Sequence, residues 1–470
     1  MIGPTYRRVR RVHFVGIGGI GMSGIAEVLL NLGYEVTGSD RKASTVVERL
    51  RGLGARIRLG HAAAAIEEGT DVVVISSAVR PGNVEVDEAR RRGVPVIPRA
   101  EMLGELMRMK YGIAIAGSHG KTSTTSMVAQ VLHRSGLDPT IVIGGRLGIL
   151  DSNARLGRGE LMVAEADESD GSFLKLSPTL AVVTSVDREH LDHFGDFARL
   201  QDAFVGFLNK VPFYGAGIVC LDDPQIQALL PRLERRVITY GMVTQADLVA
   251  ARPEVSGFAS RYEAIHRGRV LGEVRLRVPG RHSIANSLAT LAVGLELEIP
   301  FAQIATHLAE FEGADRRFEI KGSASGVTVV DDYGHHPTEI RATLEAAREG
   351  WPGRILVVFQ PHRFTRVRDL QAEFERSFYQ ADAVVVTDIY PAGEEPIPGI
   401  DADLLARGIR AHGHKDVTRV QRAKDAPAAL RPRLQAGDLV LTLGAGDVTE
   451  VGDEILALLR AEAAAAPSGA

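Results

Sequence analysis

The feature that most constrains the fold is an alternation of short β-branched runs with amphipathic helical patterns, repeated along almost the whole chain. It begins with a strand pattern at 12–15, a helical pattern ending at Asn31, and further strand patterns at 35–37 and 71–76. Successive parallel strands need a crossover connection, which is usually a helix. The pattern therefore predicts an α/β protein whose parallel sheets carry helices on their faces.

The alternation restarts twice, and 470 residues are enough for about three domains. We predict domains at 1–110, 111–315 and 316–470, with a polar and apolar alternation at 237–278 that predicts an antiparallel edge. The further predicted strands lie at 113–116, 140–143, 161–165, 180–184, 218–221, 327–330, 355–359, 383–387 and 439–443.

Charge and cysteine content exclude several classes of protein. The formal net charge is -4 and there is no long basic run, so the chain lacks the charge pattern of a nucleic-acid-binding protein. The single cysteine, Cys220, excludes an internal disulfide and fits a reducing, cytoplasmic location; its apolar neighbours predict a buried thiol. No stretch reaches the 18 or more uncharged apolar residues of a membrane span.

A glycine-rich segment lies between the predicted strand 113–116 and a predicted helix at 122–135. Its backbone N–H groups and the helix start can cradle phosphate, Lys121 can reach the outer phosphates and Thr122 can hold Mg²⁺. We expect the Lys121 side chain to face solvent when no ligand is bound. The usual spacing needs a glycine where Ile115 stands, so an unrelated glycine-rich turn is the alternative. The predicted ATP-binding loop is Gly117, Ser118, His119, Gly120, Lys121, Thr122 and Ser123.

A phosphate loop of this kind needs a carboxylate on a neighbouring strand to complete a metal site. The strand pattern 161–165 ends in Glu165, which we interpret as a metal ligand. Asp167, Glu168 and Asp170 follow at the strand end, where open α/β sheets bind ligands. Each of these three acids, taken alone, is better explained as a solvated loop residue.

A second glycine-rich loop follows the first predicted strand, and Asp40 ends the next one. This is the pattern of a dinucleotide-binding turn, with an acid for a ribose hydroxyl. Alone it predicts a nicotinamide enzyme, but the same geometry suits any pyrophosphate-ribose ligand, including a UDP-sugar. Two phosphate-binding loops on separate domains suggest two phosphorylated substrates. The glycines of the loop are Gly16, Gly18, Gly19 and Gly21.

With these motifs in this order, the chain resembles the Mur ligase family, and within it the branch that adds L-alanine. The resemblance implies an N-terminal Rossmann-like domain, a central P-loop ATPase-like domain with a mostly parallel sheet, and a C-terminal Rossmann-like domain. It covers nearly the whole length, through segments at 13–22, 117–123, 165–168, 190–192, 280–286, 316–318, 331–337, 360–366 and 444–447.

The resemblance also implies roles for individual residues. The metal ligands are Thr122, Glu165 and His190; the further ATP contacts are His282, Asn286, Arg317 and Asp332. The UDP-sugar contacts are the glycine loop with Asp40, Ser76, Ser77 and Ala78. The amino acid is held by His362, Arg363 and Arg366, and the catalytic set is Lys121, His190 and Arg366.

The implied activity belongs to peptidoglycan precursor synthesis: ATP and Mg²⁺ are used to join L-alanine to the lactyl carboxylate of UDP-N-acetylmuramate through an acyl phosphate. The partners are these small molecules, with no nucleic acid and no membrane span, and the chain is a monomer or a homodimer. A ligase that attaches a preformed murein peptide to the same UDP-sugar is the nearest alternative. A nicotinamide oxidoreductase and an inactive nucleotide-binding protein are alternatives from other classes.

Several residues also have a purely structural interpretation. His335 or His336 could cap the helix that begins at Pro337, and Arg363 and Arg366 could pair with Glu373 or Asp369. Many Mur ligases carry a modified lysine at the position of Phe204 or Val205, where this chain has none, so the ligands of a second metal ion are unassigned. Ser283 replaces a common asparagine with unknown effect.

Overall fold

The computed structural model describes residues 9–76, 78–147, 152–243 and 245–465, without the side chains at 20, 144–147, 152, 153 and 465. Within these ranges the chain forms three sheets, and most strand pairs are parallel with helices between them. This confirms the predicted α/β class. The chain divides into two compact units, one of 1–250, 264–272 and 285–308, the other of 251–263, 273–284 and 309–470. The predicted domain boundaries stay predictions.

The first sheet is parallel and has the strand order β3-β2-β1-β4-β5. The apolar run of β1 is buried between its two neighbours, with Val12 opposite Val36 and Val72. β2 and β3 lie on one side of β1, and β4 and β5 lie on the other, so the strand order reverses at β1. Ligands of open α/β sheets bind at such a point of reversal. The elements are β1 (Arg11–Val15), α1 (Ile20–Asn31), β2 (Glu35–Asp40), α2 (Thr45–Gly52), β3 (Arg56–Leu59), β4 (Val72–Ile75), α3 (Val84–Arg91), β5 (Val96–Pro98) and α4 (Arg99–Arg108).

The second sheet has the order β15-β14-β13-β12-β11-β10-β6-β9-β7-β8. Its central strands are apolar on both faces, as expected for a covered parallel sheet. Its strands are β6 (Tyr111–Ala116), β7 (Thr140–Leu147), β8 (Ser152–Arg155), β9 (Leu161–Glu165), β10 (Leu180–Val183), β11 (Ala216–Cys220), β12 (Val237–Gly241), β13 (Leu248–Ser256), β14 (Ala259–His266) and β15 (Arg269–Leu276). Its helices are α5 (Lys121–Arg134), α6 (Leu191–Phe194), α7 (Phe197–Leu208), α8 (Pro224–Leu229), α9 (Arg281–Glu296) and α10 (Phe301–Ala309).

The predicted antiparallel edge at 237–278 is correct only in its outer part. β12 is parallel to β11, whereas β13, β14 and β15 are joined by two-residue turns and therefore form hairpins. Cys220 ends β11, and its thiol is buried as predicted. Burial raises the pKa of that thiol to about 12, so it is unreactive at neutral pH.

The third sheet has the order β16-β17-β21-β18-β19-β20, with β16 antiparallel to β17 and the other pairs parallel. Separate apolar cores cover its two faces, which makes it doubly wound. Its elements are β16 (Glu319–Ala324), β17 (Val327–Asp332), α11 (Pro337–Gly350), β18 (Ile355–Phe359), α12 (Phe364–Asp369), α13 (Gln371–Phe374), β19 (Ala383–Val386), α14 (Ala402–Ala411), β20 (Val417–Arg419), α15 (Ala426–Leu430), β21 (Leu439–Leu443) and α16 (Thr449–Ala465).

Strands with a strong apolar pattern match the predictions to within a few residues, and β9, β18 and β21 match them fully. The edge strands β3, β5, β8, β16 and β20 were not predicted, because none of them is a long uninterrupted apolar run. Among the described helices, none has the length and apolarity to cross a membrane. Short 3₁₀ helices complete the fold at Ala63–Ala65, Ser172–Lys175, Leu230–Arg232, Ala423–Asp425 and Arg431–Arg433.

Candidate active site

The loop between β6 and α5 is built on two glycines that no other residue could replace without strain. Gly117 has φ +128°, and a Cβ atom there would lie 2.2 Å from Thr184 Oγ1. Gly120 has φ +80° as the N-cap of α5, and its Cβ would lie 2.6 Å from Asn286 Oδ1. Ile115, which replaces the usual first glycine, is a buried strand residue. The predicted contact residue Asn286 therefore lies against the loop.

The start of the loop is held by the segment that follows β10. The Ser118 N–H donates to the Ser185 carbonyl at 2.9 Å, and the His119 N–H donates to Ser185 Oγ at 2.9 Å. His119 Nε2 lies 2.9 Å from Asp187 Oδ2. The first intrahelical bond of α5 is donated by Thr124. The amides of 121–123, which precede it, are the donors that phosphate uses at a helix start.

Lys121 is folded back onto its own loop. Its Nζ donates to the Gly117 carbonyl at 2.7 Å and to Glu168 Oε1 at 2.7 Å, and its side chain is 16% exposed. The expectation that Lys121 faces solvent is therefore wrong, because a buried carboxylate attracts it. Burial opposes the ammonium charge, but the attraction and hydrogen bond of Glu168 outweigh it and raise the Lys121 pKa above its ordinary value.

Glu168 is the buried acid of this site, with a side chain only 1% exposed. Burial raises its pKa to about 7, against the lowering effect of Lys121. Its Oε2 is buried and has no hydrogen-bond partner among the described residues. The interpretation of Glu168 as a solvated loop acid is therefore wrong, whereas it fits the exposed Asp170. Such a carboxylate needs a cation or a proton.

The predicted metal ligands fall into two adjoining groups. Thr122 Oγ1 donates to Glu165 Oε1 at 3.0 Å. His190 caps α6 with φ +55°, and its Nε2 lies 3.8 Å from Glu168 Oε1. Ligand atoms of Glu168, Glu189 and His190 all lie within 4.8 Å of one another. Glu189 was not predicted, since only the fold shows that it faces the loop after β9.

This donor set fits a divalent cation such as Mg²⁺. Carboxylate and hydroxyl oxygens are its preferred ligands, and the unpartnered Oε2 of Glu168 marks a place for positive charge. Phe204, one of the two positions considered for a modified lysine, is buried with its ring 5.3 Å from that of Phe173. That position therefore belongs to the core and supplies no ligand.

The first sheet holds the second glycine loop at the carboxyl end of β1. Gly16 has φ +78°, and its N–H and that of Ile17 donate to the Ser39 carbonyl. Asp40 Oδ2 accepts from the Gly18 N–H at 2.8 Å, and its Oδ1 accepts from the Lys42 N–H at 3.1 Å. Asp40 thus holds the loop in shape, in addition to the ribose contact predicted for it.

Arg99, which the sequence did not single out, covers the end of this loop. A Cβ atom on Gly21 would lie 2.2 Å from Arg99 Nη1, so the guanidinium lies against that glycine and leaves no room for a side chain there. Burial raises the pKa of Asp167, in the acid-rich loop after β9, but the charge of Lys121, hydrogen bonds from Ser169 and, least, the charge of Arg99 lower it below its ordinary value. A cation next to the start of α1 adds to the positive potential there and suits an anionic ligand.

The remaining residues predicted for the UDP-sugar follow β4. Ser76 is partly buried, its carbonyl accepts from the Val79 N–H at 3.1 Å, and Ala78 is exposed. Ser77 lies outside the described residues. This strand end is at the same edge of the sheet as the glycine loop, because β1 and β4 are adjacent and parallel.

In the second unit, three predicted ATP contacts come together around Arg317. Its guanidinium lies 5.0 Å from the centre of the Tyr333 ring and 3.7 Å from Glu339 Oε1. Burial, with a smaller contribution from Arg317, lowers the pKa of His282 to about 4, so that ring is neutral near pH 7. Burial raises the pKa of Asp332 to about 6, although Arg317 lowers it.

The Asp332 carboxylate makes hydrogen bonds to neighbouring residues of the second unit. It accepts hydrogen bonds from the Phe318 N–H at 2.8 Å, the Gly334 N–H at 2.7 Å and Thr343 Oγ1 at 3.2 Å. It joins the segment after Arg317 to the loop before α11. Ser283 also has a clear role, because its hydroxyl donates to the Pro279 carbonyl at 2.7 Å at the start of α9.

The capping interpretation holds for His336. Its Nδ1 accepts from the Thr338 N–H at 3.3 Å, and Glu339 accepts from the His336 N–H, which completes a capping box for α11. His335 packs its ring edge-on against those of Tyr333 and His362.

The residues predicted to hold the amino acid gather where β18 ends. The His362 ring stacks on that of Tyr390, and its Nδ1 lies 3.3 Å from Arg366 Nη1. Arg363 has φ +67°, and its Nε–H is buried without a hydrogen-bond partner in the described part of the chain. Burial and both arginines lower the pKa of His362 to about 4.

The acidic residues near this cluster contact other groups. Asp369, considered as a partner of Arg363 or Arg366, instead pairs with Arg368 at 2.7 Å. Glu394 lies nearby and accepts from the Thr365 hydroxyl at 2.6 Å. The buried Nε–H of Arg363 therefore points to an anionic ligand as its missing partner.

Three family models match the chain. They are the catalytic domain of the Mur ligase family at 11–111, the Mur ligase middle domain at 115–294 and the Mur ligase glutamate ligase domain at 316–446. The matches cover all three sheets.

Two similar proteins are both named UDP-N-acetylmuramate--L-alanine ligase. That of Myxococcus xanthus is 58% identical over 97% of this chain and 96% of its own length. That of Geobacter sulfurreducens is 57% identical over 97% of this chain and 98% of its own length.

Solved structures agree with these similarities. The UDP-N-acetylmuramate-alanine ligase of Thermotoga maritima superposes with a TM-score of 0.80 at 28% identity, covering 96% of this chain and 99% of that one. A murein peptide ligase of Psychrobacter arcticus gives a TM-score of 0.68 at 22% identity, covering 96% of this chain and 98% of that one. At the latter identity the likeness concerns the fold alone.

Proposed function

The chain belongs to the Mur ligase family, and from that premise we propose that it uses ATP to join L-alanine to the lactyl carboxylate of UDP-N-acetylmuramate in peptidoglycan precursor synthesis. The observation that carries this function is the 58% identity with the Myxococcus xanthus ligase along 97% of the chain. Attachment of a preformed murein peptide has weaker support, because the peptide ligase of Psychrobacter arcticus is only 22% identical. An oxidoreductase would leave the loop at 117–123 without a role.

The reaction has two balanced steps. A lactyl carboxylate oxygen attacks the γ-phosphorus of ATP, the bond to the β,γ-bridging oxygen breaks, and ADP leaves. The neutral amine of alanine then attacks the acyl carbon, phosphate leaves with the bonding electrons, and the nitrogen loses a proton as the amide forms. In phosphoryl transfer of this kind the protein contributes mainly positioning and charge neutralisation.

We assign the ATP phosphates to the loop at 117–123. Lys121 exchanges its contact with Glu168 for the outer phosphate, so a charge already held at the loop is presented to the transferring group. Thr122, Glu165, Glu168, Glu189 and His190 are the residues that would hold Mg²⁺. The ion would supply positive charge to the phosphate oxygens. His282, Arg317 and Asp332 are assigned to the nucleoside side of ATP.

We assign the two other substrates to the first and third sheets. The diphosphate of the UDP-sugar is assigned to the loop at 16–21 with Arg99, and its ribose to Asp40. Arg363 and Arg366 are assigned to the α-carboxylate of alanine, for which a planar guanidinium is well matched. His362 is neutral by its low pKa and orients Arg366. A cytoplasmic location and a monomeric or homodimeric state are further parts of this proposal.

Phosphate release tests the proposed function. Purified protein is mixed with ATP, Mg²⁺ and UDP-N-acetylmuramate, and each of the twenty amino acids is added in turn. We expect L-alanine to give the fastest release and the UDP-sugar to be required. Release that needs a preformed peptide in place of a single amino acid would contradict the proposal, as would oxidation of NAD(P)H by the same substrates.

A further inference from the structure

A fully buried glutamate in a helix that packs on the first sheet has no role in the substrate assignments proposed above. Glu85 lies in the first turn of α3 and has no exposed surface. Its Oε2 accepts from Ser39 Oγ at 2.7 Å and lies 3.1 Å from His13 Nε2, and its Oε1 accepts from the Ala62 N–H at 3.1 Å. A buried carboxylate with this many partners costs desolvation energy and fixes the groups around it.

One of those groups is the ring of His61. Its Nδ1 lies 3.0 Å from Ser39 Oγ and 3.3 Å from Glu85 Oε1. The single hydroxyl hydrogen of Ser39 is directed to Glu85, so Ser39 Oγ can only accept from His61. Nδ1 of His61 therefore carries the hydrogen, and in the neutral ring Nε2 keeps its lone pair.

His61 lies at the end of this sheet where the UDP-sugar is proposed to bind. It follows β3, and the preceding Gly60 N–H donates to the Asp40 carbonyl at 2.8 Å. The Ser39 carbonyl holds the amides of the glycine loop. The His61 side chain is 20% exposed, and the hydrogen bonds found for its ring among the described residues are made by Nδ1. The His61 ring is therefore held through Nδ1 at the end of the sheet that carries the glycine loop, and Nε2 is left as an acceptor.

We propose that His61 Nε2 accepts a hydrogen bond from the nucleoside of the UDP-sugar and that Glu85 is the positioning residue that fixes the ring. This inference rests on the proposed placement of the UDP-sugar on the first sheet. A lone pair repels the diphosphate, which has no hydrogen to donate when ionised. The uridine supplies the donors instead, either the uracil N3–H or the ribose 2′-hydroxyl, so His61 contributes to recognition of the nucleoside.

Calorimetric titration with UDP tests the proposal on the parent, on His61→Phe and on the control His266→Phe, which changes a histidine of β14 in another sheet. One neutral hydrogen bond corresponds to a factor of roughly 2 to 13 in affinity. We expect His61→Phe to weaken UDP binding by such a factor and His266→Phe to leave it unchanged. Thermal unfolding of each variant checks that the fold is retained.

Two analogues identify the donor. N3-methyluridine diphosphate lacks the N3–H, and 2′-deoxyuridine diphosphate lacks one ribose hydroxyl. We expect His61→Phe to have no further effect on the binding of the analogue whose donor it contacts. An equal loss for UDP and both analogues would overturn the proposal, as would a loss that disappears when UMP replaces UDP, since this would assign His61 to the terminal phosphate.

The binding of UDP to a double variant tests the positioning role of Glu85. Glu85→Gln should weaken UDP binding, and adding Glu85→Gln to His61→Phe should weaken it no further. Additive losses would show that Glu85 acts through the fold alone and would overturn its role. If the parent binds UDP and His61→Phe binds it equally well, the inference fails while the proposed function stands. If the parent does not bind UDP, the placement of the UDP-sugar and the inference fail together.

Discussion

At the scale of the residue, the pair of Lys121 and Glu168 links stability to catalysis. Lys121→Ala should lower kcat by roughly 10²- to 10³-fold, because a preorganised charge on the transferring phosphate is lost. It should also leave Glu168 buried without its cation, so the pKa of Glu168 rises above about 7. A carboxyl pKa raised by folding gives stability at low pH that is lost as the pH rises. The loss of thermal stability relative to the parent should therefore be larger at pH 8 than at pH 6.

The double variant Lys121→Ala with Glu168→Gln separates these two effects. It should remove the extra pH dependence of unfolding, because the carboxyl of residue 168 is no longer there to ionise, while turnover stays low. Phosphate release and thermal unfolding at the two pH values measure both. Unchanged turnover in Lys121→Ala would refute the assignment of the ATP site.

Arg363 and Arg366 allow a second test on single side chains. A hydrogen bond to a charged group contributes about 1.5 to 3 kcal/mol, so Arg363→Ala or Arg366→Ala should raise the KM for L-alanine roughly 10- to 150-fold. The KM for ATP should move much less. Arg368→Ala is the matched control, because Arg368 is on the same helix and pairs with Asp369. A rise confined to the KM for ATP would instead assign these arginines to the phosphate site.

At the scale of the element, the two ends of α5 offer a matched pair of glycines. Gly120 and Gly136 both have φ +80°, but only Gly120 has a neighbour, Asn286 Oδ1, at 2.6 Å from the added Cβ. Each change to alanine should lower the free energy of unfolding by about 1 to 2 kcal/mol, because a left-handed residue acquires a Cβ. Gly120→Ala should also reduce kcat/KM for ATP by roughly 10²-fold, since the loop is displaced. Equal kinetics for both variants would show that the loop tolerates displacement.

His282 on α9 and Asp332 on β17 should give opposite pH dependences of stability. Folding lowers the His282 pKa to about 4, so its contribution is present above about 6.5 and lost as the pH falls. Folding raises the Asp332 pKa to about 6, so its contribution is present below about 3.8 and lost as the pH rises. Each amounts to about 3 kcal/mol at most.

Denaturant unfolding between pH 4 and 6.5 measures this. The free energy of unfolding of the parent minus that of His282→Gln should increase with pH, and the same difference for Asp332→Asn should decrease. Slopes of the same sign would mean that one of the two pKa shifts has been assigned in the wrong direction.

At the scale of the whole molecule, the two nucleotides are assigned to different sheets and should bind independently. Asp40→Ala removes the carboxylate that holds Gly18, so UDP-N-acetylmuramate should bind roughly tenfold more weakly or worse, with the ATP affinity nearly unchanged. Asp71→Ala is the control, because Asp71 also accepts two backbone amides, but at the opposite end of β1. Tighter binding of NAD than of the UDP-sugar by the parent would contradict this assignment.

The sequence alone was sufficient for the fold class and for the position of both glycine-rich loops. β9, β18 and β21 could be predicted because a covered parallel strand is an uninterrupted apolar run, which is a local pattern. The glycines at 117 and 120 could be found because their left-handed backbone has a direct signature in residue type. Short edge strands lack such a signature, so they were missed.

The partners of the charged groups were decided by the tertiary structure. Lys121 and Glu168 are 47 residues apart, and no local pattern indicates that they meet. The same holds for Arg99 over Gly21 and for Glu85 behind His61, because each pair joins separate elements of the first sheet domain. Residue type and spacing determined which groups could bind phosphate, whereas burial and long-range contacts decided which of them are held, which are oriented and which lack a partner until a ligand binds.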